Sequence, residues 1–169
     1  MTTLAATLKL SLACSLIGSS DMTPLPRHDF IETFEMLFSD GAGADQAQNV
    51  FCDERTLAAS ATENLDLAAS LTNALGSTIT FTAIKAILIV ANAGNTNNVV
   101  IGGAATNTFT GPFGDATDKI NLGPGDVFLV TRRGATGLAV TADTGDILKI
   151  ANSGGTTGVT YRVVIIGEN

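Results

Sequence analysis

The sequence has few of the side chains that carry most catalytic and metal-binding chemistry. Its 169 residues include one histidine, His28, and two cysteines, Cys14 and Cys52. A catalytic triad or a histidine-rich metal site needs a histidine placed among other polar groups. His28 instead stands beside Arg27 in a proline-rich segment typical of a solvated surface. We therefore expect no catalytic residue, no metal site and no cofactor.

The two cysteines are isolated from each other in the sequence. Neither belongs to a Cys-x-x-Cys pair, so the pattern does not favour a zinc knuckle or a redox pair. Two isolated cysteines in a chain that can form a core are more often buried, inert thiols. We predict that state for Cys14 and Cys52, with a disulfide between them as the alternative.

Aromatic and basic side chains are also scarce. There is no tryptophan and one tyrosine, and 16 acidic residues outnumber 9 basic ones, which gives a net charge of −7. An acidic chain is repelled by phosphate, so nucleic acid and anionic membrane surfaces are not expected partners. The lack of aromatic platforms weakens a sugar-binding interpretation. Lys85, in the apolar segment TAIKAILIV, is expected on a solvated face or at a sheet edge.

No apolar run is long enough to cross a membrane as a helix. Residues 8–18, LKLSLACSLIG, have the length of a signal-peptide core, but no basic residue precedes them and Lys9 lies inside them. Leu8, Leu10 and Leu12 alternate there with Lys9, Ser11 and Ala13. That alternation is typical of a half-buried strand, so we expect the chain to be cytosolic when it is made.

Glycine and small polar residues are abundant instead. There are 18 glycines, and from residue 46 onward turn signals separate strand-like segments at intervals of about ten residues. These segments include TITFTAIKAILIVA, NVVIGG, DKINL, DVFLVTR, GLAVTA, DILKIAN and VTYRVVII. The rhythm predicts an all-β protein, with an antiparallel β-sandwich of jelly-roll type in residues 46–169.

Residues 1–45 form a less regular N-terminal arm with a strand predicted at 6–16 and a proline-containing loop at 18–28. The segment DFIETFEMLF then has two interpretations. Asp29 and Glu32 have the spacing of a helix capping box, and a helix would present Phe30, Phe34, Leu37 and Phe38 on one face. A strand would present Phe30, Phe34, Met36 and Phe38 on one side. The sequence leaves both open.

Two glycine-rich features resemble ligand sites but favour turns. Residues 88–101, LIVANAGNTNNVVI, place an Asn-rich knot between two apolar runs, and we predict a turn that joins a central strand to NVVIGG as its partner. Five aspartates lie in Gly-rich stretches: Asp115, Asp118, Asp126, Asp143 and Asp146. Carboxylates of this kind can bind calcium, but the spacing does not fit an EF-hand, and tight turns select aspartate beside glycine.

Two stretches, from ATENLDLAAS to GPFG and from INLGPGD to VVIIG, resemble structural proteins of tailed phages and prophages. The resemblance extends over about residues 53–169, and LDLAASLTNALG, GNTNNVVIGGAA, LGPGD and ANSGGTTGVTYRVVIIG carry it most clearly. The family is that of capsid decoration (cement) proteins, which are small β-sandwich proteins. The resemblance implies a non-enzymatic virion protein that binds the phage major capsid protein on the outside of the head and stabilises its lattice, as a homo-oligomer (dimer or trimer).

The N-terminal apolar residues are the candidates for contact with the capsid or a neighbouring subunit. Apolar strand-forming segments can add to a neighbour's open sheet edge. The candidates are Leu8, Leu10, Leu12, Phe30, Phe34 and Phe38. The alternative is that they complete the sandwich's own core. Two other functions remain as rivals: a tail or fibre module that binds a glycan, and a cupin-like metal enzyme, which would need several histidines.

Overall fold

The protein is described by a computed structural model that covers residues 3–21 and 24–169, and over those residues it consists of strands, turns and loops. Because no described residue is helical, none forms a helix that could cross a membrane. Met22 and Thr23, in the predicted loop 18–28, lie outside the described residues. The strands are β1 (Ala6–Ile17), β2 (Arg27–Asp40), β3 (Gln46–Ala47), β4 (Asn49–Leu57), β5 (Thr62–Asp66), β6 (Leu71–Thr72), β7 (Thr78–Ile79), β8 (Ala83–Ala91), β9 (Val99–Gly102), β10 (Lys119–Leu122), β11 (Val127–Thr131), β12 (Leu138–Ala139), β13 (Ile147–Asn152) and β14 (Val159–Glu168).

Two antiparallel sheets pack face to face and form the body of the molecule. The long sheet has the strand order β11-β8-β14-β4, with β12 also paired to β8, and the short sheet has the order β10-β9-β13-β5. Strands β6 and β7 form a separate small pair. The predicted all-β class and the antiparallel sandwich are therefore confirmed.

The core lies between the two sheets and is built by alternation along each strand. In β14, Val163 and Ile165 point inward, and the register places them beside Ile89 and Ile87 of β8. Ile101 of β9 and Ile150 of β13 pair with each other on the opposing sheet. β-Branched side chains suit this pleated, half-buried setting, and each one fully buried contributes about 1.5–3 kcal/mol.

Strand β8 is central in its sheet, as predicted, but its predicted partner is wrong. NVVIGG forms β9 in the other sheet, so residues 92–98 carry the chain from one layer of the sandwich to the other. In this loop, hydrogen bonds from asparagine side chains take the place of the backbone hydrogen bonds that would join two neighbouring strands. Asn95 donates to the Thr160 carbonyl (2.9 Å) and accepts from the Thr160 amide (2.8 Å), and Asn97 donates to the Thr157 carbonyl (2.9 Å).

The N-terminal region is a regular hairpin rather than an irregular segment. Strands β1 and β2 pair antiparallel over their length, from Ala6 opposite Phe38 to Ile17 opposite Arg27. DFIETFEMLF is therefore a strand, and the helical interpretation is wrong: β1 pairs with the whole segment, whereas an isolated helix of this length is only marginally stable in water. We call this hairpin, residues 6–40, the arm.

Candidate functional site

The arm has one apolar face. Directly opposite residues of an antiparallel pair point to the same side, so the register assigns every side chain of the arm to one of two faces. The apolar face comprises Ala6, Leu8, Leu10, Leu12, Cys14 and Leu16 of β1 with Phe30, Phe34, Met36 and Phe38 of β2. Only His28 and Glu32 interrupt it with a polar side chain.

Most of this apolar face is open to solvent. Phe38, near the body, is 2% exposed, whereas Leu12 is 52% and Phe34 51% exposed. Leu10, Leu16 and Phe30 are also exposed. Soluble monomers rarely leave large contiguous apolar patches uncovered, and such patches mark sites of interaction.

The opposite face of the arm is mostly polar. Lys9 pairs with Glu35 at 3.2 Å and Arg27 pairs with Asp29 at 2.8 Å, and the hydrogen bond from Arg27 lowers the pKa of the Asp29 carboxyl. Three apolar residues on this side, Ile17, Ile31 and Leu37, are separated from one another by these polar groups. The arm is thus amphipathic, with its continuous apolar surface on one side.

The base of the arm packs on the outer face of the long sheet. Phe38 and Ala47 form a small buried cluster with Ala86 of β8 and Ile166 of β14. Partly buried residues complete it: Leu4, Ala6, Leu8, Met36, Val50 and Val164. A groove of about 280 Å³ remains beside this cluster, between Thr7, Leu8 and Lys9 of the arm and Ala86, Leu88, Val164 and Ile166 of the sheet.

The six predicted contact residues lie on one face but in two environments. Leu8 and Phe38 contact the molecule's own body, while Leu10, Leu12, Phe30 and Phe34 project into solvent. Sequence reasoning missed the surface that continues from the arm across the outer face of the long sheet. Its signal is in β8, where Leu88 and Val90 alternate with the core residues Ile87 and Ile89.

Both cysteines are free thiols, but the prediction that they are buried is wrong. Cys14 and Cys52 are exposed. Cys14 lies on the apolar face of the arm opposite Phe30, and Cys52 lies on the outer face of the long sheet opposite Val164. Each thiol occupies an apolar position in its strand, and no other element packs over either position.

Lys85 is the main surprise inside the body, because the expected solvated lysine is completely buried. The register of β14 against β8 shifts between Ile166 and Gly167, so Lys85 is the extra residue of a β-bulge. Its ammonium donates to the carbonyls of Gly43 (3.1 Å), Gly134 (2.6 Å) and Ala135 (3.0 Å). It also pairs with Glu168 at 2.8 Å, so it ties two loops to the last strand.

A second polar chain lies at the edge between the sheets. The hydroxyl of Tyr161 donates to Glu63 (2.5 Å), which accepts a hydrogen bond from Arg55 (2.7 Å). Burial raises the pKa of the Tyr161 phenol well above its ordinary value, and the hydrogen bond to Glu63 raises it further. Each of these three side chains has a hydrogen-bond partner among the other two, so we assign the group a structural role.

The clustered aspartates stabilise turns by accepting hydrogen bonds from backbone amides. Asp118, Asp126 and Asp146 each accept a hydrogen bond from the backbone amide three residues earlier, at 2.9, 2.8 and 2.7 Å. The backbone amide of Thr117 lowers the pKa of Asp115 in the same way. Across residues 3–21 and 24–169, no group of three or more acidic, histidine or cysteine side chains has the arrangement of a metal site.

Among the described residues, the apolar face of the arm beyond its base and the neighbouring part of the outer face of the long sheet therefore remain uncovered. Comparisons of the chain with protein-family models, with curated proteins and with solved structures found no match.

Proposed function

We propose that this protein is a non-enzymatic virion structural protein that binds the outside of a tailed-phage head and stabilises the lattice of the major capsid protein. The arm is the observation that carries the proposal. A self-contained sandwich bears a hairpin whose exposed Leu12 and Phe34 suit contact with a neighbouring subunit, either of the capsid or of the protein's own oligomer. The resemblance of residues 53–169 to capsid decoration proteins supports the same function.

We also propose that the sandwich is a jelly roll. The strand order supports this, because the first strand of the sandwich, β4, pairs with the last, β14, and β5 pairs with β13 in the facing sheet. Strands β8 and β9 follow in the next places of the two sheets, and β11 and β10 lie at their edges. Nested pairing of this kind is the arrangement of two Greek keys, which recurs in viral capsid domains, although a fold alone does not fix a function.

The stabilising action needs interface area and no chemistry. A decoration protein that contacts two neighbouring capsid subunits adds buried surface across their boundary, so separating them also requires breaking its contacts. Closed symmetry in such a lattice favours dimers or trimers of the added protein. The chain would be made in the host cytoplasm and act on the capsid exterior.

The test is binding to expanded phage heads prepared without the protein. We expect the purified protein to sediment with the heads in hundreds of copies per particle, counted by quantitative mass spectrometry, and to raise the temperature at which they release DNA. Unexpanded procapsids serve as the comparison. Heads that neither bind the protein nor gain heat resistance would contradict the proposal, and a handful of copies would indicate a tail or neck component.

A second candidate function is a glycan-binding module of a phage tail or fibre. The observation that favours it is a polar groove of about 480 Å³ beside the base of the arm. Its lining is Asp40, Gln48, Asn49, Asn73, Ser77, Thr78 and Asn169. Amides bind sugar hydroxyls well, but Asn49 already donates to Asn169 and accepts from Asn73. Saturable binding on a glycan array would favour this candidate over the first.

A further inference from the structure

We propose that the exposed apolar face of the arm is covered by the outer face of the long sheet of a second copy of this chain, and that two copies exchange this contact reciprocally. The outer face comprises Val50, Cys52, Glu54 and Thr56 of β4, Ala86, Leu88 and Val90 of β8, Val127, Leu129 and Thr131 of β11, and Thr160, Arg162, Val164 and Ile166 of β14. The contact forms in solution and does not depend on a capsid.

Continuity with the contact inside one chain is the first argument. Leu8 and Met36, on the apolar face of the arm, pack in the cluster formed with Ala86 and Ile166 of the sheet. Beyond that contact, both surfaces continue with further apolar side chains. The arm continues through Leu10, Leu12, Phe30 and Phe34, and the sheet continues through a row in which Leu129, Leu88, Val164 and Cys52 stand side by side.

The area of the two surfaces is the second argument. Beyond its contact with the body, from Leu10 to Leu16, the arm spans six residues, which is roughly 20 Å at the rise of an antiparallel strand. Two strands with their side chains are about 10 Å wide, so one arm covers roughly 200 Å². One such contact falls well short of the area of about 600 Å² per partner that specific interfaces bury, and reciprocal exchange doubles it.

Charge is the third argument. Where β1 and β2 are paired, Glu32 is the one acidic residue on the apolar face of the arm, and Arg162 is the one basic residue on the outer face of the long sheet. Arg162 is largely exposed and lies 4.0 Å from Glu54, its only ion-pair partner among the described residues. In the exchanged dimer Glu32 of one copy is paired with Arg162 of the other, which gives the one basic residue of this face an acidic partner from the second copy beside its own Glu54.

Two matched double variants test the apolar contact. L12S/F34S removes two side chains from the apolar face, and I31S/L37S makes a similar change on the opposite face, where both residues are also exposed. By sedimentation equilibrium we expect a dimer for the wild type and for I31S/L37S. For L12S/F34S we expect weaker association, with Kd raised by about 100-fold or more, because two apolar anchors are lost. Unchanged circular dichroism confirms that each variant folds.

A monomeric wild type, a trimer, or equal weakening by both variants would overturn the proposal. A monomeric wild type would not contradict the proposed capsid function, because binding to phage heads is measured in a separate experiment. Failure to bind heads would in turn leave the dimer standing.

The two native thiols identify the surfaces in contact. A short bismaleimide is expected to join Cys14 of one copy to Cys52 of the other, because each lies on one of the two faces. Mass spectrometry of the cross-linked dimer identifies the joined peptides, and C14S or C52S is the control that removes the link. A dimer joined only through Cys14 to Cys14 would show that arms pack on arms and would overturn the exchange.

A charge swap tests the pairing of the two faces. E32R and R162E are each expected to weaken the dimer about tenfold, and E32R/R162E is expected to recover it. If the Kd of E32R/R162E rises by the product of the two single-variant increases, the two residues act independently and the predicted pairing is overturned.

Discussion

At the scale of single residues, the least expected group is the buried cation of Lys85. Burying a lysine is costly unless its charge is paired and its donors are used. The bulge at Lys85 meets both conditions, since three carbonyls and Glu168 surround the ammonium. The sequence around it, TAIKAILIV, is that of an ordinary strand, and a bulge has no local signature that would reveal which way the lysine points.

Replacing Lys85 by methionine is expected to lower the free energy of unfolding by about 3–5 kcal/mol, because Glu168 is left buried and unpaired. Lys119→Met is the matched control: Lys119 is exposed on β10, and its loss should change stability by less than about 0.5 kcal/mol. Urea unfolding followed by circular dichroism measures both. K85M/E168Q should recover part of the loss, and equal stability of K85M and K119M would contradict the structural role.

The chain's one tyrosine gives a stability prediction with a definite sign. Folding raises the pKa of Tyr161 above its unfolded value of about 10, so its contribution is fully present below pH 10. As pH rises further, only the unfolded state loses the phenolic proton, and stability falls by up to about 1.4 kcal/mol per pH unit.

Y161F is the control for this titration. It should cost about 1 kcal/mol at neutral pH through the lost hydrogen bond to Glu63, and it should lack the alkaline loss attributable to the phenol. Tyrosinate absorbance should appear in the wild type only when the protein unfolds. Ionisation of the phenol in the folded protein near its ordinary pKa would show that the site is open to water.

At the scale of elements, alternation along the strands made much of the structure predictable. The strand at the N-terminus, the Phe30, Phe34, Met36 and Phe38 side of β2, and the core strands follow from it. Alternation does not say which strands are neighbours. NVVIGG follows β8 directly in the sequence yet pairs in the other sheet, because Asn95 and Asn97 hold a crossing loop with side-chain hydrogen bonds that a composition-based prediction cannot tell from a hairpin turn.

Two phenylalanines on one face of the arm should behave in opposite ways. Phe38→Ala is expected to cost about 3 kcal/mol because Phe38 is buried against Ala86 and Ile166. Phe34→Ala should cost less than about 0.5 kcal/mol in dilute solution, where its side chain is exposed. Thermal and urea unfolding of the two variants provide the measurement. A large loss for Phe34→Ala under those conditions would mean that the arm folds back on its own body.

At the scale of the whole molecule, an acidic body and an exposed apolar arm act against each other. The net charge of −7 opposes association at neutral pH, while the apolar face of the arm favours it. The composition predicted the first property. The second depended on knowing that the residues from Leu10 to Phe34 lie off the body, and strand patterning alone left open whether they complete the protein's own core.

Lowering the pH towards the isoelectric point, near 4.4, should remove the repulsion and leave the attraction. We expect wild-type protein to become turbid there, and L12S/F34S to remain clearer than I31S/L37S at the same concentration. Light scattering during an acid titration measures the difference. Equal turbidity of the two variants would show that the arm does not control association under these conditions.

The arm and the body share few contacts, and this separation has an evolutionary consequence. Substitutions between Leu10 and Phe34 are expected to alter the proposed contact at little cost to folding, while the cluster around Phe38 keeps the arm attached. We therefore expect the sequence of the arm to change during evolution without a change in the sandwich. Descendants of one such protein are expected to diverge fastest along the hairpin and slowest around the Lys85 bulge, and a graft of residues 10–34 between two of them should transfer partner choice.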